Sequence, residues 1–135
     1  MNLHDKTVLL TGASGGIGQE LAQRLAHKGA RLCLVGRNAQ AMTLLKEMLP
    51  YPERHHIVLM SSYTDDEIVA LASRFKDENK LDILINNAGT SRFALFEQQS
   101  FDDIREQIRT NIEIPTLLTR AMLDKFNPQG IILNI

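Results

Sequence analysis

The residues with the clearest chemical potential are Thr11-Gly12-Ala13-Ser14-Gly15-Gly16-Ile17-Gly18. They stand directly between a short β-branched and leucine run and a helical pattern. A dinucleotide pyrophosphate needs backbone N–H donors at a helix N-terminus, with no Cβ in the way. Gly12 can make the tight turn, Gly16 permits close backbone approach, and Gly18 lets the helix pack on the strand. Ile17 lies within the same loop, and Ser14 can add a hydroxyl contact. A plain glycine turn is the bland alternative, and the strand-before, helix-after context weighs against it. A P-loop is excluded, because no Lys-Ser or Lys-Thr pair follows the glycines.

A second residue bears on the charge of such a ligand. Sites that hold a ribose 2′-hydroxyl place a carboxylate about 20 residues beyond the glycine loop. Here that position is Gly36, followed by Arg37, and no Asp or Glu occurs between Arg31 and Lys46. Without a carboxylate nothing repels a 2′-phosphate, and an Arg fork can bind one bidentately. The expected cofactor is therefore NADP rather than NAD, with a solvated Arg37 as the alternative. Other clusters are weak. His55 and His56 would point to opposite faces of a strand, and His4 and His27 lack clustered partners, so no metal site is expected. Asp102-Asp103 reads as the acidic start of a helix. Cys33, the single cysteine, reads as a buried strand residue.

The elements that must position these residues alternate along the chain. Strand-like runs are expected at Thr7–Thr11, Arg31–Val35, Ile57–Met60, Leu81–Ile85 and Ile131–Ile135. Between them, helical spacing marks Ile17–Lys28, a segment capped by Asn38 and ended at Pro50, a segment capped by Thr64 or Asp65, and a long pattern over Phe101–Phe126. Short, wholly apolar strands are those covered on both faces. Strands alternating with helices imply right-handed crossovers and a parallel sheet. The expected fold is α/β, a Rossmann-type doubly wound parallel sheet, truncated after the fifth strand.

The glycine spacing, Thr-Gly-x-x-x-Gly-Ile-Gly, resembles that of the short-chain dehydrogenase/reductase family. A second family signature, Asn86-Asn87-Ala88-Gly89, ends the fourth strand, and Asn111 matches the family's catalytic asparagine. The resemblance covers the whole chain but only the first part of the family's domain. It implies that Asn87 bridges neighbouring strands and that Asn87, Ala88 and Gly89 border the cofactor, Gly89 by leaving room beside the backbone. Asn86 reads as structural. Pro115 lacks an N–H, so the Asn111 carbonyl loses its i+4 partner, becomes free to hold a water, and bends the helix. In the family this asparagine anchors a water of the proton relay. Ser62 stands where the family commonly has an Asp near the adenine; it offers a hydroxyl without charge. The family's Ser after the fifth strand and its Tyr-x-x-x-Lys pair have no match: Tyr51 is followed four residues on by His55, and Tyr63 by Glu67.

Bulk properties set the frame. A chain of 135 residues fits one domain, here residues 1–135, and the net charge of −1 argues against a general nucleic-acid or membrane-surface role. No apolar stretch approaches the length of a membrane span, and the N-terminus does not read as a signal peptide, which fits a soluble cytoplasmic protein. The leading function is that of an oxidoreductase transferring hydride between NADP(H) and a carbonyl or alcohol carbon. As a truncated chain it is expected to be inactive alone and to form a homo-oligomer through its exposed fifth strand or the long helix. The alternative is a non-catalytic nucleotide-binding or oligomerising module. A nucleotide-sugar epimerase fits less well, because its glycine spacing differs.

Overall fold

The computed structural model describes residues 1–135. Five strands, β1 (Thr7–Thr11), β2 (Arg31–Gly36), β3 (His56–Leu59), β4 (Leu81–Asn86) and β5 (Phe126–Asn134), form one parallel sheet in the order β3-β2-β1-β4-β5. The helices are α1 (Gly16–His27), α2 (Ala39–Met48), α3 (Asp65–Ala72), α4 (Phe101–Ile108) and α5 (Ile114–Met122). This is the expected Rossmann-type arrangement.

Side-chain alternation divides the core into two halves. Val8, Leu10, Leu32, Leu34, Ile83 and Ile85 pack against α1 and α2 through residues such as Ala22, Leu25 and Met42. Leu9, Cys33, Val35 and Leu84 pack on the opposite face against Ile68, Leu71, Leu118 and Met122 of α3 and α5. Both faces of each central strand are thus buried, which is why the strands read as unbroken apolar runs. Leu9 and Leu10 are wholly buried; each such side chain contributes roughly 1.5–3 kcal/mol relative to exposure.

The helix ends follow from local chemistry. Gly29, at φ +84, closes α1; its N–H donates to Ala26, and the Ala30 N–H donates to Leu25, the paired bonds of a Schellman motif. Asn38 caps α2 by accepting the Ala41 N–H. Thr64 and Glu67 form a capping box on α3, as Ser100 and Asp103 do on α4.

Three expectations need correction. The long helix over Phe101–Phe126 is not continuous: α4 passes through a π-turn at Arg109–Glu113 into α5, which gives way to a 3₁₀ turn at Leu123–Lys125. The break is centred on Asn111 and ends just before Pro115, whose missing N–H was expected to bend the helix. The apolar face of this segment, expected to be partly uncovered for association, is so at Ile108 and Leu117, whereas Leu118 and Met122 are buried against the sheet. Lastly, β5 begins at Phe126 rather than Ile131. Phe126 pairs with Leu81, and the strand bulges through Pro128-Gln129-Gly130 before Ile131 pairs with Ile83. An edge strand tolerates such a proline and bulge because one of its sides needs no ladder bonds.

The strand order reverses between β1 and β4: β2 and β3 lie on one side, β5 on the other. Loops leaving the carboxyl ends of β1 and β4 diverge there and open a crevice.

Candidate functional site

A cleft of about 480 Å³ opens at that point. Gly12, Ser14, Gly16, Ile17 and Gly18 line it from the loop after β1, Gly36 and Arg37 from the end of β2, and Asn87, Ala88 and Gly89 from the end of β4. Nine of the residues singled out in the sequence therefore meet in one cavity: Gly12, Ser14, Gly16, Ile17, Gly18, Arg37, Asn87, Ala88 and Gly89.

The glycines serve different ends. Gly12 has φ +62, and a Cβ there would lie 2.8 Å from the Ala88 Cα, so the β1 and β4 loops touch backbone to backbone. A Cβ on Gly18 would overlap the Gly12 carbonyl oxygen. A Cβ on Gly16 would meet nothing within 4 Å; it would project into open space. Helix α1 has no side-chain N-cap and no acid in its first turn. Its first main-chain bond runs from Gln19 to Gly15, leaving the N–H groups of Gly16, Ile17 and Gly18 without a partner in the protein. Three unpaired donors at the positive end of a helix, facing an unobstructed cleft, fit a pyrophosphate.

The β1 and β4 loops are locked together. The Thr11 hydroxyl oxygen accepts the N–H groups of Asn87 and Ala88, each at 3.0 Å. The Asn87 amide donates to the carbonyls of Thr11 at 3.2 Å and Gly12 at 3.1 Å. Asn87 is thus the bridge expected of it. Thr11 opens the glycine motif, but the sequence assigned its hydroxyl no role in joining the two loops. Asn86 is buried and donates to Thr119 and Asn134, a structural role; its Oδ1 has no partner.

At the β2 end, Arg37 is exposed on the cleft rim and makes no ion pair. A Cβ on Gly36 would lie 2.5 Å from the Sδ of fully buried Met42. The usual carboxylate position is thereby closed to any side chain unless Met42 moves.

Two sequence-singled residues lie off this cleft. Ser62 is exposed and does not line it; Ser61 and Tyr63 do. Tyr63 is buried, adopts φ +48, and its phenol is pushed up to about 12 by burial, with a further push from Glu67. A phenol shifted in that direction is a poor proton donor near neutral pH. Asn111 lines an adjoining cavity of about 430 Å³ together with Ala88, Gly89 and Pro115. Its Oδ1 accepts the Thr90 N–H at 2.9 Å, and its Nδ2 donates to the Thr90 carbonyl at 2.8 Å. A Cβ on Gly89 would lie 3.2 Å from that Oδ1. In the protein itself, the room that Gly89 leaves is therefore occupied by the Asn111 amide.

The cleft floor comes from Glu106, Thr110 and Ile114, spaced four apart on one stripe of the α4–α5 segment. None was singled out, though the stripe was legible in their spacing. No group of three His, Cys, Asp or Glu residues is placed to hold a metal ion. Burial pushes the Cys33 thiol up to about 11, against a smaller opposing effect of Arg74.

A model of the short chain dehydrogenase family matches residues 6–135. The chain is 33% identical over 131 residues to the gluconate 5-dehydrogenase of Gluconobacter oxydans, which spans 96% of this chain and 51% of that protein. It is 34% identical over 122 residues to oxidoreductase UcpA of Escherichia coli, covering 90% of this chain and 46% of UcpA. The crystal structure of a short chain dehydrogenase from Bacillus anthracis superposes with a TM-score of 0.88 at 27% identity, over 98% of this chain and 57% of that one. The chain spans about half the length of the curated relatives it matches. No helix is long and apolar enough to cross a membrane.

Proposed function

Because the chain belongs to the short-chain dehydrogenase/reductase family, we propose that its cleft binds NADP(H) in preference to NAD(H), for an oxidoreductase acting on a carbonyl or alcohol substrate. The observation that carries this reading is the convergence of the free Gly16–Gly18 N–H groups and the unpaired Arg37 on one cleft with no carboxylate beside Arg37.

The Gly16, Ile17 and Gly18 donors would hold the pyrophosphate, with Ser14 beside them. Arg37 would take the 2′-phosphate, and Ala88 and Gly89 would border the nicotinamide-side ribose. Held there, the cofactor would supply the hydride-transfer chemistry. Asn111 spends its side-chain amide on Thr90. Its carbonyl, denied the Pro115 N–H, would be the group to hold a water for proton transfer. The 135 residues contain no Tyr-x-x-x-Lys pair, so the reading assigns them cofactor binding and the Asn111 relay position, and no proton-donating tyrosine.

The test is calorimetric titration of NADPH and NADH into the parent and Arg37→Ala. Loss of a charge-assisted phosphate contact should weaken NADPH by about ten-fold or more and leave NADH nearly unchanged. Equal affinities in the parent would contradict the NADP preference.

A further inference from the structure

The π-turn between α4 and α5 reaches both loops that flank the cleft. On one side, Asn111 holds Thr90, and the Gln107 Oε1 accepts the Arg92 N–H at 3.3 Å, so positions four apart grip the loop after β4. On the other side stands Arg109. Its Nη2 donates to the carbonyls of Ser62 at 3.0 Å and Tyr63 at 3.2 Å, while its Nη1 donates to Glu113 at 2.6 Å. Glu106, Thr110 and Ile114 face the cleft between these two flanks.

The segment that Arg109 grips is strained. Tyr63 is a bulky residue at φ +48, a conformation that persists only where its surroundings over-determine it. Two devices do so here. The capping box of Thr64 and Glu67 fixes the chain directly after Tyr63, and the Arg109 guanidinium fixes the carbonyls of Tyr63 and of the residue before it. Glu113 in turn orients the guanidinium. The fixed segment is the cleft wall formed by Ser61 and Tyr63. Because β3 lies beside β2, this wall adjoins the end of the cleft that Arg37 rims.

We infer that Arg109 is a positioning residue of the cleft: by holding the Ser62 and Tyr63 carbonyls it keeps the left-handed Tyr63 turn in place and so shapes the wall against which the adenosine half of the dinucleotide sits. The part of this that concerns the dinucleotide rests on the NADP(H) reading above; the part that concerns the wall does not.

Two measurements separate these parts. The chain has two tyrosines and no tryptophan, so in a Tyr51→Phe background the intrinsic fluorescence reports Tyr63 alone. Acrylamide quenching of that signal measures how open the wall is, with circular dichroism confirming that each variant is folded. Adenosine 2′,5′-bisphosphate, titrated calorimetrically, measures the adenosine subsite. Arg109→Met should raise the quenching constant severalfold and weaken the bisphosphate about ten-fold, on the scale of a lost charge-assisted hydrogen bond. Arg109→Lys keeps a donor and should restore most of both, a rescue that generic destabilisation would not produce. If Arg109→Met does not fold, Arg109→Gln, which keeps one amide donor, replaces it, with smaller changes of the same sign expected. Unchanged quenching in a folded variant would overturn the inference, whatever happens to the nucleotide. Increased quenching with unchanged bisphosphate affinity would overturn the role at the cleft. A parent that binds no bisphosphate, with quenching that still depends on Arg109, would refute the NADP(H) reading while supporting the hold on the wall.

Discussion

Gly16 and Gly18 show how two neighbouring glycines can be kept for different reasons. At Gly18 the obstacle is the protein's own backbone: a Cβ would strike the Gly12 carbonyl and crowd Ala13. Gly18→Ala should therefore lower stability by about 1–3 kcal/mol, the usual cost of overpacking. At Gly16 the space is open, and φ is not in the left-handed region. Gly16→Ala should change stability by no more than about 0.5 kcal/mol yet weaken NADPH, because the added methyl enters the ligand's space. Urea denaturation and titration of the two variants check this; equal stability losses would contradict it. His55 supports a pH prediction. Its Nδ1 accepts the Leu32 N–H at 3.2 Å and its Nε2 faces the Pro50 carbonyl at 2.9 Å, which requires the neutral ring protonated on Nε2. Burial, first, holds its pKa below the ordinary 6.5; the Pro50 carbonyl and Glu53 oppose that, and Arg54 and Lys46 reinforce it. The unfolded chain then takes up the proton first. The stability this histidine contributes is present above pH 6.5 and lost as pH falls below it toward the lower folded value, by at most about 1.4 kcal/mol per pH unit. The urea midpoint of the parent should fall more steeply from about pH 7 to about pH 5 than that of His55→Gln; parallel profiles would count against the assignment.

At the scale of elements, the sequence and the structure agree best where local chemistry decides. The glycine-to-helix junction and the Asn38 and Thr64 caps are all legible, because each depends on residues within one helical turn. The α4–α5 segment was legible only in part. Pro115 announced a break, but no local rule showed that the chain would absorb it as a π-turn sending Arg109 and Asn111 to opposite loops. The start of β5 was missed because Pro128 and Gly130 read as breakers, and only pairing with β4 keeps Phe126 in the sheet. That strand carries the next prediction. It pairs with β4 alone, and Ile131, Ile132 and Leu133 are each about two-fifths exposed (42%, 39% and 42%). An edge of this length and character favours pairing with another chain. Light scattering over a concentration series should show self-association of the 135-residue chain, reduced by Ile132→Lys. Association unaffected by that change would instead point to the exposed Ile108, Ile112 and Leu117 of the helical segment.

For the whole molecule, strand order does what no single motif can. The motifs after β1, β2 and β4 are separated by tens of residues, and the order β3-β2-β1-β4-β5 brings them to one cleft. Alternating apolar runs and helical patterns made that architecture readable, and with it most of the site. Ser62 was misplaced by one position on either side, because the left-handed turn at Tyr63 presents Ser61 and Tyr63 to the cleft instead. Arg109 was invisible because its partners lie more than forty residues away in sequence. The central claim is that the crevice between the β1 and β4 loops is a dinucleotide site. It is tested most directly by following backbone amide resonances of the 135-residue chain during titration with NADPH. The amides of Gly16, Ile17, Gly18, Ala88 and Gly89 should shift most, while those of Arg31 and His56, at the opposite ends of their strands, stay in place. Shifts concentrated away from the glycine loop, or none at saturating NADPH, would contradict the account.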